Sequence, residues 1–98
     1  MSTSPNRRAA KRFPHKSTVM IEDAVKGYFY YGTMHNYSVG GMYFEADFAA
    51  KPGTPIKIKV EKPPLENSPR VYKASVVWYD ELDQEESVYN YGIGVRFP

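Results

Sequence analysis

A chain of 98 residues and 11.2 kDa has room for one compact domain and excludes a multidomain enzyme. Its hydrophobic share of 42% and aromatic share of 15% supply a core, and the lack of Cys excludes a disulfide framework, a zinc ribbon and a thiol nucleophile. The formal net charge of +2 hides an asymmetry: five of the 13 Lys and Arg, and no acid, fall in residues 1 to 16, leaving eight bases against all 11 acids in the remainder.

From the start of the chain, Arg7, Arg8, Lys11, Arg12 and Lys16 predict a flexible basic arm over residues 1–16, suited to an anionic partner, ahead of a mildly acidic body over 17–98. No apolar stretch of signal-peptide length follows these bases, and no run approaches the roughly 18 residues needed to span a bilayer. A cytoplasmic domain without membrane insertion is therefore expected, and the lack of Cys fits a reducing compartment. The body reads with a period of two. Ser17 to Asp23 places Val19 and Ile21 in phase, and Gly27 to His35 is an aromatic-rich strand. Gly40 to Ala46 alternates Met42, Phe44 and Ala46 with Tyr43 and Glu45. Lys51, Pro52 and Gly53 suit a type II turn, and Thr54 to Val60 then alternates Ile56, Ile58 and Val60 with lysines. The proline-rich stretch from Lys62 to Pro69 is a loop. Val71 to Tyr79 puts Tyr72, Ala74, Val76 and Trp78 on one face, with Trp78 expected in the core. Asp80 to Glu86 holds five acids and reads as an exposed loop, and Tyr91 to Phe97 aligns Tyr91, Ile93, Val95 and Phe97. Six short strands with tight connections predict an all-β antiparallel sheet, which best buries its apolar face by closing into a barrel.

Enzyme signatures are lacking. Asn36 stands two residues before Ser38, so there is no Gly-x-Ser-x-Gly elbow, and there is no Walker loop. His15 and His35 have no Cys nearby, so no metal site is expected. Gly92 and Gly94, on alternate positions of one strand, lack the rest of a dinucleotide fingerprint and indicate close packing or a ligand against that face.

Two constellations carry chemistry. Arg8 and Arg12 lie four apart with Arg7 in front, and each guanidinium is a planar fork able to grip a phosphate or a guanine edge. Asn36, Ser38 and the tandem Gly40 and Gly41 follow at a strand end, where Asn pairs with a base edge and glycine permits close approach. A tight hairpin corner uses the same residue types. His35 and Tyr37 flank the motif and are expected to line the site.

In this order, Arg-x-x-x-Arg, Asn-x-Ser-x-x-Gly and the closing Tyr91-Gly92-Ile93-Gly94-Val95-Arg96-Phe97 strand resemble the PilZ domain family of bacterial cyclic di-GMP receptors, over Arg8 to Phe97. The resemblance implies a six-stranded antiparallel barrel and a non-enzymatic receptor that changes conformation to signal to an unidentified protein partner, in processes such as motility, exopolysaccharide production or secretion. It implies that Arg8, Arg12, Asn36, Ser38, Gly40 and Gly41 hold cyclic di-GMP, with Arg7 and Trp78 as further contacts and no cofactor beyond that ligand. Asn36 stands where Asp is also common in the family, and its amide accepts less strongly than a carboxylate. Many such domains continue into a C-terminal helix, whereas Pro98 directly follows the last strand, as in a minimal barrel or a truncated chain. Two other readings stay open: a PilZ-like adaptor that binds protein without nucleotide, and a small barrel binding single-stranded nucleic acid through the arm and exposed tyrosines. Of these, nucleic acid is the less expected partner.

Overall fold

The computed structural model describes residues 13–48, 50–65 and 67–98. Its strands are β1 (Phe13–Asp23), β2 (Phe29–Ser38), β3 (Gly41–Ala46), β4 (Pro55–Val60), β5 (Val71–Glu81) and β6 (Tyr91–Arg96). All neighbours pair antiparallel, in the order β1-β2-β3-β6-β5-β4 with β4 returning to β1, which makes the expected closed six-stranded barrel. Closure leaves no free sheet edge. In this ring β1 and β6 stand opposite each other, three strands apart in either direction.

The alternation in the sequence sets which side chains face inward. Val19 and Ile21, Met42, Phe44 and Ala46, Ile56, Ile58 and Val60, and Ile93 and Val95 all lie in the buried core. Tyr91 and Phe97 pack against it part-buried. Phe97 stacks on Tyr72 with ring centroids 4.8 Å apart, and Tyr72 meets Tyr37 edge-on. Among the described residues the buried Tyr72 hydroxyl has no hydrogen-bond partner. Burial, then the neighbouring Tyr37 hydroxyl, pushes its pKa up to about 12.

Three β-bulges re-aim side chains that simple alternation misplaces. One lies between Val76 and Trp78 where β5 pairs with β6, so Tyr72, Ala74 and Val76 point inward as expected while Trp78 is turned to the outside. A second, between Met34 and Asn36, buries Tyr37 in the core rather than beside the motif's outer face. The third, between Pro14 and Ser17, lets β1 run back to Phe13, four residues ahead of the expected start. β2 likewise runs on through Ser38. Asp80 and Glu81 belong to β5 rather than to a loop, because they find partners in Gly92 and Tyr91.

The turns follow their chemistry. Gly53 has φ +93° and Thr54 N donates to Lys51 O at 3.1 Å, the type II turn anticipated there. Between β1 and β2, the buried Asp23 carboxylate accepts from Val25 N and Lys26 N at 2.9 and 3.0 Å, and Gly27 turns the chain with φ +79°.

Candidate functional site

β2 and β3 are joined by the two-residue turn Val39-Gly40, with Ser38 and Gly41 facing each other as the last pair. The Ser38 hydroxyl is buried in this corner, donating to Gly41 O at 3.3 Å and accepting from Gly40 N at 3.2 Å. Among the described residues no second donor reaches it. Gly40 O accepts from Phe97 N at 2.9 Å, so the corner is tied to the end of the chain.

The tandem glycines differ in what requires them. A Cβ on Gly41 would collide with the carbonyl of Val95 on β6, so Gly41 is there for close strand packing. Gly40 has no positive φ, and nothing lies within 4 Å of where its Cβ would be. It faces open space.

Asn36 lies on the outer face of β2, in register with Pro14 on β1 and Tyr43 on β3. Tyr43 is in register with Gly94 on β6, and Gly94 with Trp78 on β5. One row therefore crosses the outside of the barrel from Pro14 through Asn36, Tyr43 and Gly94 to Trp78. Along it the Tyr43 ring stacks on the Trp78 indole, with centroids 5.7 Å apart and planes 23° from parallel. The alternate glycines of β6 make room for both rings: a Cβ on Gly92 would meet the Tyr43 ring, and one on Gly94 the Trp78 indole. Trp78 remains 41% exposed. This is an aromatic shelf on the outer surface, not the core position expected for Trp78.

Glu45 borders the shelf and gathers three donors. It accepts from the Tyr43 hydroxyl at 3.3 Å and from Ser87 Oγ at 2.6 Å, and His35 Nε2 lies 3.4 Å from its Oε1. Burial, then Glu45 and Asp80, pushes the Tyr43 hydroxyl up to about 12, so it stays a neutral donor across the physiological range. Tyr43 is the residue that sequence reading missed as part of the site. Its signal was present in the paired glycines of β6, which indicated a group lying against that face.

Arg7, Arg8 and Arg12 lie outside the described residues. The residue following Arg12, Phe13, is in register with Tyr37, between Asn36 and Ser38. Among the described residues no group of His, Cys, Asp or Glu is arranged to hold a metal ion, and no helix is long and apolar enough to cross a membrane.

A PilZ domain family model matches residues 6–98. The chain belongs to the PilZ domain family. Among solved structures, this PilZ domain is similar to that of YcgR from Escherichia coli, solved with c-di-GMP, at 16% identity and a TM-score of 0.69 over 93% of this chain and 77% of that one. It is also similar to the PilZ domain of CeSA from a cellulose-synthesizing bacterium, at 19% identity and a TM-score of 0.62 over 90% of this chain and 81% of that one. At these identities the two structures establish the shared barrel. No curated protein sequence matches the chain.

Proposed function

We propose that this PilZ domain is a non-enzymatic cytoplasmic receptor for cyclic di-GMP, which it holds between Arg8 and Arg12 of the N-terminal arm and Asn36 and Ser38 of β2. The observation that carries the reading is the register of β1 on β2. Phe13, the residue after Arg12, sits opposite Tyr37, between Asn36 and Ser38, which supports reading the arginine half of the motif with the Asn36–Ser38 half although the two are 24 residues apart from Arg12 to Asn36. The family, and a relative solved with c-di-GMP, support the choice of ligand.

The chemistry of the row suggests how the ligand lies. Its phosphates belong at the arginine end, where guanidinium forks give two-point, charge-assisted bonds. Its purines belong toward Asn36 and the exposed edge of Trp78, because Glu45 and Asp80 repel phosphate while the indole offers a face for stacking. Gly40, with open space at its Cα, gives an unobstructed approach to the backbone. Arg7 adds a further fork. Ligand held by the arginines and the barrel together neutralises the charge of the basic segment, and that change is what a protein partner reads.

Calorimetric titration with cyclic di-GMP, with cyclic di-AMP and GTP as controls, tests the reading. We expect selective, saturable heat in the wild type and its loss in the double variant Arg8→Ala, Arg12→Ala. Asn36→Ala should weaken binding by about 1–2 kcal/mol, the scale of one hydrogen bond in a polar site. No heat with ligand near a millimolar, equivalent to binding weaker than roughly −4 kcal/mol, would leave a PilZ adaptor that works without nucleotide. With ligand, amide exchange across residues 6 to 16 should slow; unchanged exchange at saturation would reject the arm as the moving part.

A further inference from the structure

The outer face centred on β1, opposite β6, carries a second group of exposed aromatics that the ligand site does not use. Tyr31 is 67% exposed and Phe29 57% exposed. Their registers align them with Met20 and Glu22 on β1, and these in turn with Lys59 and Lys57 on β4. Beyond them on β5 stand Val71 and Lys73, both exposed. Two stripes therefore run side by side along the strands. An apolar stripe of Phe29, Tyr31 and Met20 lies on β2 and β1, and a cationic stripe of Lys57, Lys59 and Lys73 lies on β4 and β5. No described carboxylate forms an ion pair with any of these three lysines. Between the stripes is a groove of about 310 Å³ lined by Thr18, Met20, Tyr31, Lys59, Glu61 and Arg70.

We propose that this face docks an acidic amphipathic helix of a partner protein, with the helix's apolar side on Met20, Phe29 and Tyr31 and its carboxylate edge on Lys57 and Lys59. For the existence of a protein partner the proposal rests on the receptor reading. In the ring, β2 and β4 flank β1 on either side, two strand spacings of about 4.8 Å or roughly 10 Å apart, so a helix 10–12 Å across lying along β1 meets β2 on one flank and β4 on the other. Charge complementarity sets the sign of the partner's edge: Lys57, Lys59 and Arg70 outnumber Glu22, which faces Lys57 across the strands, and Glu61, and neither carboxylate forms an ion pair with either lysine. Exposed Tyr, Phe and Met are the side chains that anchor protein interfaces. A protein segment is favoured over an anionic bilayer on two grounds. The surface is grooved rather than flat, and Glu22 and Glu61 stand within it, where a sheet of negative headgroups would meet them directly while a helix can place its carboxylates clear of them.

The test selects from a displayed library of random peptides of about 16 residues, roughly four helical turns, against the wild-type protein. Selected peptides are then measured against Tyr31→Ala, the double variant Lys57→Glu, Lys59→Glu, and Trp78→Ala. The expected result is enrichment of sequences with apolar residues at helical spacing and an acidic edge. Their affinity should fall at least about tenfold with each of the first two variants and hold with Trp78→Ala. Failure to enrich such sequences, or equal binding to the Lys→Glu variant, overturns the proposal. Two parallel arms can also overturn it. Sedimentation of the protein with phosphatidylserine-containing vesicles, lost in the same variants, would assign the face to lipid. A wild-type dimer lost in Tyr31→Ala would assign it to a second copy. The Lys→Glu double variant changes only exposed side chains, so it remains informative should Tyr31→Ala fold poorly. Cyclic di-GMP titration of both variants keeps the two readings separable: wild-type heats with lost peptide binding support the docking face, and absent heats with intact peptide selection count against the receptor reading alone.

Discussion

On the side of the barrel formed by β3, β6 and β5, the aromatic side chains lie flat: Tyr43 and Trp78 stack on each other over the gaps left by Gly92 and Gly94. On the opposite side, around β1, Phe29 and Tyr31 keep more than half of their surface in solvent. The first arrangement is built into the sheet and borders the motif corner, which suits its rings to the flat ligand proposed above. The second gains nothing from the fold itself, because an exposed aromatic contributes little to stability. Aromatics that the fold has settled and aromatics that it leaves unsettled thus underlie the two different kinds of recognition proposed for one small barrel.

The sharpest way to break this comparison is through the glycines. Gly41→Ala drives a methyl group into the Val95 carbonyl, which is backbone and cannot move aside, so a loss of about 2–3 kcal/mol is expected in urea unfolding, as for other overpacked sites. Gly40→Ala meets nothing and should leave stability within about 0.5 kcal/mol, yet it should weaken cyclic di-GMP binding if the ligand approaches the backbone there. Equal stability losses at the two glycines would show that both serve only the hairpin.

The two faces should also differ in what truncation costs. Trp78→Ala removes a stacked ring that is more than half buried, and we expect a loss of about 1–2 kcal/mol with a change in the near-ultraviolet circular dichroism of Tyr43. Tyr31→Ala should fall within about 0.5 kcal/mol. Similar costs for the pair, measured by denaturant midpoints, would remove the distinction between a settled and an unsettled face.

The smallest effect concerns pH. Tyr43 and Tyr72 are raised from 10.0 to about 12 in the folded protein, so the folded state resists an ionisation that the unfolded chain undergoes near its ordinary value. For a group whose folded pKa is raised, this stabilising contribution is present in full below pH 10 and is lost as pH rises toward 12. Denaturation midpoints should therefore hold level up to about pH 10 and fall beyond it, with a shallower fall in Tyr43→Phe. A midpoint independent of pH between 10 and 12 would contradict the buried setting of both hydroxyls and the acids beside Tyr43.

Much of this architecture was legible in the sequence because alternation is a direct record of a strand's two faces. Met42, Phe44 and Ala46 on β3 and Ile56, Ile58 and Val60 on β4 point inward as their spacing requires. The illegible part lies at the bulges. One unpaired residue flips every side chain after it, and nothing in the local composition near Val77 or His35 announces it, so Trp78, expected in the core, lies outside, and Tyr37, expected to line the site, lies in the core. The motif residues Asn36 and Ser38 could be recognised by type and spacing. Their shared corner with the residue after Arg12 depends on pairing between β1 and β2, a non-local fact that chain order does not reveal. Tyr43 lay between the two cases: its outward phase was readable, but its role required knowing which glycines it covers.

The central claim is that ligand recognition belongs to the motif corner and its aromatic shelf, and that the β1 face plays no part in it. Calorimetric titration of cyclic di-GMP into the wild type, Asn36→Ala and Tyr31→Ala, under one salt condition, tests this most directly. The account predicts saturable heat in the wild type, weakened binding in Asn36→Ala and wild-type binding in Tyr31→Ala. Equal losses in Asn36→Ala and Tyr31→Ala, or no heat from the wild type, would contradict it.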